Sequence, residues 1–272
     1  MFSKVAIVLI THYPRWRTGK SNIDNTDKVR GDLALDLINE ALKLGCNVIV
    51  SDSRSSKSFK KELSNLKKII LTHRRSPKRA IGVREGIKRA IKIPDVKVIV
   101  LTEPEKVSLI AECLKDIVNP IIEGRADVVI PKRKESLFIE TYPKYMYESE
   151  KEGNQTFNEE LKSHKLINPE EAYDIFFGPK VFLNDKKIVS LFMKKYTFNV
   201  DHMTFPKWYF DAEQLSNTNF FPVVDALKKH FRVNSIIVPF EYSKSQKLNE
   251  LGKYKHFFEE KRRMQRIAIT IE

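Results

Sequence analysis

Apolar residues fall along this chain in two alternating rhythms. Lys4 to Thr11 (KVAIVLIT), Asn47 to Ser53 (NVIVSDS), Lys67 to His73 (KKIILTH), Val96 to Glu103 (VKVIVLTE) and Ala126 to Pro131 (ADVVIP) are short, nearly continuous apolar runs of strand length. Between them the apolar residues return at helical spacing. In residues 29–45, Val29, Leu33, Leu37, Ile38, Ala41 and Leu42 share one face, and the pattern stops at Gly45, a suitable residue beyond a helix C-terminus. Residues 57–66 predict a short helix. Residues 78–91 predict another, with Ser76 as its N-cap and Pro77 in its first turn, and residues 106–124 a single longer one. Strands apolar on both faces need cover on both, so the pattern predicts an α/β fold with an open, mainly parallel sheet sandwiched by helices. Ligands of such sheets sit outside the carboxyl ends of the strands, which makes Thr11, Asp52, His73 and Glu103 neighbours.

Beyond about Lys132 the rhythm changes. Residues 145–165 read as a polar helix or excursion, 173–182 as a strand running into a turn, 219–231 as a helix and 232–242 as a strand. A long closing helix over 245–271 is interrupted at Gly252. Neither a repeat nor a low-complexity linker divides the 272 residues, so one domain is expected over 1–272, with a nucleotide-binding half in 1–131 and an acceptor-side half in 132–272.

Composition narrows the class. A hydrophobic fraction of 42% is that of a globular chain, and no apolar run approaches the roughly 20 residues that span a bilayer. The first residues read as a strand and not as a signal peptide, and a cytoplasmic location is expected. Cys46 and Cys113 lie in apolar-periodic stretches and are expected to be buried reduced thiols. The formal net charge of +14 favours anionic partners or a merely solubilising surface, and the basic residues lack the aromatic interleaving of a nucleic-acid module.

Several stretches carry candidate chemistry. Asp52, at a strand end before a Ser-rich turn, can accept hydrogen bonds from a base or ribose, or cap the next helix. Arg74, Arg75, Lys78, Arg79 and Arg84 gather around a helix start, as a phosphate site or as a solvated basic face. Gly82 and Gly86 inside that helix imply that something approaches its backbone closely. Thr102-Glu103-Pro104-Glu105 fits a capping box, the reading that spacing alone favours, and also allows a pair of carboxylates two apart that reach one Mg²⁺ or Mn²⁺. Neither G-x-G-x-x-G nor G-x-x-x-x-G-K-[ST] occurs, which lowers dinucleotide dehydrogenases and P-loop NTPases.

Taken in order, VIVSDSRSS, RAIGVREGIKRAI, VIVLTEPEK, GRADVVIPKR, DIFFGPKVF and the segment from SIIVPFEYSKSQ to FFEEKRRMQ resemble nucleotide-diphospho-sugar transferases of the GT-A fold, nearest in flavour to the mannosylglycerate and glucosyl-phosphoglycerate synthases. The resemblance spans nearly the whole chain and implies a glycosyltransferase moving a sugar from a nucleoside-diphosphate sugar to an unidentified acceptor, which the charge favours as anionic. It implies that Asp52 holds the base and Thr11 lies beside it, that Arg79 and Arg84 contact ribose or diphosphate, and that Glu103-Pro104-Glu105 stands where the family has D-x-D, binding Mg²⁺ or Mn²⁺ and the diphosphate. Phe177, Gly178, Pro179, Lys180 and Trp208 fall on the acceptor side, with Asp211 as the candidate catalytic base. The Glu-for-Asp exchanges leave a rival reading, a catalytically silent domain that binds nucleotide sugar or a protein partner.

Overall fold

The computed structural model describes residues 1–20, 22–197, 213, 216–256, 258 and 260. Seven strands form one sheet: β1 (Val5–Thr11), β2 (Asn47–Asp52), β3 (Ile69–His73), β4 (Val98–Leu101), β5 (Val128–Arg133), β6 (Lys180–Leu183) and β7 (Val233–Val238). Their order is β3-β2-β1-β4-β6-β5-β7, and only β6 runs antiparallel, between β4 and β5. The expected mainly parallel α/β sandwich is therefore what forms, and its architecture is consistent with the GT-A or Rossmann-like class.

Alternation along the strands explains the two layers. Val5, Ile7 and Leu9 of β1, Val48 and Val50 of β2, and Val98 and Val100 of β4 face one layer. It is built on α1 (Thr26–Lys43), α2 (Lys57–Asn65), α4 (Val107–Ala111) and α5 (Leu114–Ile122). Ala6, Val8, Ile49 and Ile99 face the other, under α3 (Arg79–Ala90), α8 (Lys186–Met193) and α10 (Phe221–Lys228). A third cluster, around Phe157, Phe176 and Phe220, fixes α7 (Lys144–Ser163) to the β5 end of the sheet. Short helices α6 (Glu135–Thr141), α9 (Ser216–Asn219) and α11 (Lys244–Glu250) complete the described part. Among the described residues no helix is long and apolar enough to cross a membrane.

Some expected elements differ. The helix over 106–124 is two helices, because its halves serve different partners: α4 packs on α1, and α5 on β5 and β6. Residues 173–182 run as a turn into a strand, the reverse of the expected order. A 3-10 turn at Ile175–Phe177 leads to Gly178 at φ +104°, and β6 starts only after Pro179, which has no N–H for the ladder. α3 begins at Arg79 with Lys78 as N-cap and not at Ser76, because Arg74 Nη1 takes the carbonyls of Ser76 and Lys78 and holds this stretch as a loop. The closing helix is interrupted at Gly252 as expected: α11 ends at Glu250, Gly252 takes φ +75°, and residues 255, 256, 258 and 260 are again helical. Residues 261–272 lie outside the described residues. Cys46 and Cys113 are free and buried, and burial pushes their thiols up to about 12 and about 11.

Gly86 is what lets α3 sit on the sheet: a Cβ there would land on Val8 Cγ1. The close approach expected at Gly82 is made by Arg74, whose Nε would lie 2.7 Å from such a Cβ. Both glycines thus serve packing within the chain.

Candidate functional site

The sheet winds outward from β1 through β2 to β3, then returns across β1 to β4, so the direction reverses between β1 and β4. That is the point where an open α/β sheet leaves a crevice beyond its carboxyl ends. Four of the expected residues come together there. Register places Thr11 beside Asp52 and Asp52 beside His73. Thr11 Oγ1 donates to Asp52 Oδ1 at 2.9 Å, and both residues are fully buried. Asp52 Oδ2 has no hydrogen-bond partner and lies 3.8 Å from His73 Nδ1. Glu103 follows β4 at the same edge.

Asp52 caps no helix: the N-cap of α2 is Ser56, whose side chain accepts from the amide of Phe59. Around Asp52 other polar atoms are buried without partners, namely Ser53 Oγ and Arg74 Nε and Nη2. Arg74 was one of five basic candidates in its stretch, and it alone turns inward to this edge, its amide donating to the Asp52 carbonyl at 2.8 Å. Burial pushes its guanidinium below the ordinary arginine value. Buried polar groups are nearly always hydrogen-bonded, so an unpartnered carboxylate oxygen, hydroxyl and guanidinium at one crevice mark a place where a polar ligand completes the set.

Arg79 is exposed at the start of α3. Arg84 is buried and differs from its expected role as a free phosphate contact. It pairs with Glu213 and reaches Asn217 Oδ1 at 3.5 Å, while Glu213 also takes Lys195 at 2.7 Å. About one and a half turns into α3, Arg84 ties the helix to Glu213, before α9, and to Asn217 within it.

Thr102 to Glu105 form no capping box. α4 starts at Val107, and Thr102 Oγ1 bonds to the Glu103 carbonyl at 3.3 Å. The carboxylates turn to opposite neighbours of β4. Glu105 goes to the β1 side, accepting from Tyr13 Oη at 3.4 Å and lying 3.8 Å from Arg30 Nε. Arg30 in turn holds the fully buried Glu250 at 2.6 Å, and Tyr242 donates to the same carboxylate. Glu103 goes to the β6 side and lies on Gly178, where a Cβ would strike its carboxylate. Its Oε2 is buried without a partner. The two side chains therefore present no shared face to a divalent ion, and among the described residues no three His, Cys, Asp or Glu side chains converge as a metal site. The arrangement does not fit the metal role implied for this pair.

Phe177, Gly178, Pro179 and Lys180 are all buried and form the floor beneath Glu103, not an open acceptor wall. The Lys180 ammonium donates to the carbonyls of Gly178 at 2.9 Å and Ile175 at 3.3 Å. Burial lowers its pKa to about 8 against the opposing pull of Glu103 and Asp174. Beside it, half-buried Lys106 lies 4.8 Å from the Phe177 ring and 5.1 Å from that of Phe240, with Tyr142 and Tyr242 at 5.8 Å. Trp208 and Asp211 lie outside the described residues.

Sequence reading missed Arg30, Lys106, Tyr13 and Ser53 as members of this edge. Arg30 interrupts an apolar helical face and Lys106 directly follows Glu105, and these were the available signals. An apolar cavity of about 40 Å³, lined by Phe157, Leu161, Phe220 and Phe221 among others, shares no lining residue with the edge.

No protein-family model and no curated protein sequence matches the chain. Solved structures are similar to it. A protein from Desulfovibrio desulfuricans described as a nucleotide-diphospho-sugar transferase is 9% identical, covering 98% of each chain, with a TM-score of 0.49. The M. tuberculosis glucosyl-3-phosphoglycerate synthase is 10% identical over 97% of this chain and 80% of its own, with a TM-score of 0.46. The S. aureus TarS fragment 1–349 is 14% identical over 86% of this chain and 58% of its own, with a TM-score of 0.48. Likenesses of this degree say nothing of donor, acceptor or reaction.

Proposed function

We propose that the β1/β4 crevice binds the nucleoside diphosphate of a nucleotide sugar and that the protein transfers the sugar to an acceptor, anionic on the strength of the basic surface. One observation carries the reading: Asp52 Oδ2, Ser53 Oγ and Arg74 Nε and Nη2 are buried without partners at the switch point. Together they offer an acceptor, a hydroxyl and cationic donors, the complement of a base edge or ribose. Arg79 is the exposed cation beside them and serves the phosphates. Residues 1–131 supply the donor site in this reading and residues 132–272 the acceptor side, with Asp211 as the base to test.

A thermal-shift screen of nucleoside diphosphates and nucleotide sugars tests it. One nucleotide class raises Tm by about 5 °C at roughly a hundredfold excess over Kd, and Asp52→Ala abolishes the shift. No response from any nucleotide would remove the reading.

The divergence of Glu103 onto Gly178 and of Glu105 toward Arg30 favours a second reading, a silent domain that binds a nucleotide sugar without turning it over. It predicts stoichiometric binding with neither hydrolysis nor transfer.

A further inference from the structure

Positive charge at this crevice is built into the chain. Arg30 faces Glu105 on the β1 side, and Lys180 and Lys106 sit around Glu103 on the β6 side. Lys180 is fully buried, with two of its three donors fixed by the carbonyls of Gly178 and Ile175, so it cannot leave. Lys106 is held among four aromatic rings and, among the described residues, makes no ion pair within 4.0 Å and only the 3.4 Å contact to Tyr142 Oη as a hydrogen bond. Two of its donors are uncommitted. Arg79 is exposed at the start of α3, and no described residue forms an ion pair with it. Glu105 has a counter-ion in Arg30, and Glu103 turns away from it onto Gly178, so the pair offers no shared face to a metal, while neither Lys106 nor Arg79 forms an ion pair among the described residues.

We infer that this edge takes a nucleoside diphosphate without a divalent ion, Lys106 and Arg79 contacting the phosphates while Arg30 holds Glu105 and Glu103 stays turned onto Gly178. The inference rests on the donor-site reading above. Physically, an ammonium and a guanidinium in a crevice walled by apolar rings neutralise a diphosphate without having to recruit and order an ion. A carboxylate close to a phosphate repels it unless a cation stands between them.

Calorimetric titration of the full chain with UDP, ADP, GDP and CDP, each in EDTA and in MnCl₂, decides the matter. The expected result is binding of one of them in EDTA with a Kd within about threefold of that in Mn²⁺. Glu103→Gln should bind in EDTA as tightly as the parent or more tightly, whereas Lys106→Met and Arg79→Ala should each weaken binding by about tenfold. Binding seen only with Mn²⁺, or a loss of about tenfold or more in Glu103→Gln confined to Mn²⁺, would overturn the inference and leave the donor site standing. No binding of any diphosphate under either condition would overturn the donor-site reading itself, and the inference with it. The parent comparison alone is decisive should a variant fail to fold.

Discussion

Gly178 is the residue on which the geometry of the crevice turns. Its φ of +104° is strained for any residue with a Cβ, and a Cβ would occupy the space of the Glu103 carboxylate. Gly178→Ala therefore adds a steric conflict to a backbone penalty and should cost about 2–3 kcal/mol in urea unfolding. Gly45→Ala, at φ +81° with nothing within 4 Å, should cost only the backbone part, about 1 kcal/mol. Combining Gly178→Ala with Glu103→Ala should restore the steric share, and strict additivity of the two would contradict the contact. Lys180 below it sets a pH dependence. Its folded pKa, about 8, lies below the ordinary 10.5, so the cost of burying its charge is fully present below pH 8 and is relieved as pH rises toward 10.5. Relative to Lys180→Met, the parent should gain on the order of 3 kcal/mol across that window and run parallel to the variant below pH 7. A difference that stays flat from pH 6 to 10.5 would contradict a buried ammonium.

At the scale of elements, strand and helix identity was legible wherever burial was two-sided and continuous. β1, β2 and β4 announce themselves as apolar runs because both their faces are covered, and α1 does so because one face packs on the sheet for its whole length. Where an element changes partners part-way, as between α4 and α5, hydrophobic period carries no trace of the break. Chain direction around Gly178-Pro179 was misread for a similar reason: the same residues permit a turn before a strand or after one, and only the ladder with β4 decides. Within the site, Asp52 and Thr11 were readable because strand ends are fixed by the strands. The surroundings of Glu103 and Glu105 were not, since Gly178 and Arg30 arrive from elements distant in sequence. The capping box failed on this point, because Glu105 turns toward Arg30 and the helix starts one residue past Lys106.

For the molecule as a whole, the sheet order places the reversal between β1 and β4, and Asp52 Oδ2, Ser53 Oγ and Arg74 Nε and Nη2, left without hydrogen-bond partners, lie at the carboxyl ends beside it. The formal charge of +14 draws anions to the surface generally, so affinity for a nucleotide is not by itself a sign of this crevice. Location is what distinguishes a donor site from a basic surface. Hydrogen exchange read by mass spectrometry, with and without a saturating nucleoside diphosphate, reports location directly. The account predicts protection concentrated in peptides covering residues 9–16, 50–56 and 101–107, with residues 157–166 and 220–228 unchanged; protection spread over the basic surface, or confined to that second region, would contradict it.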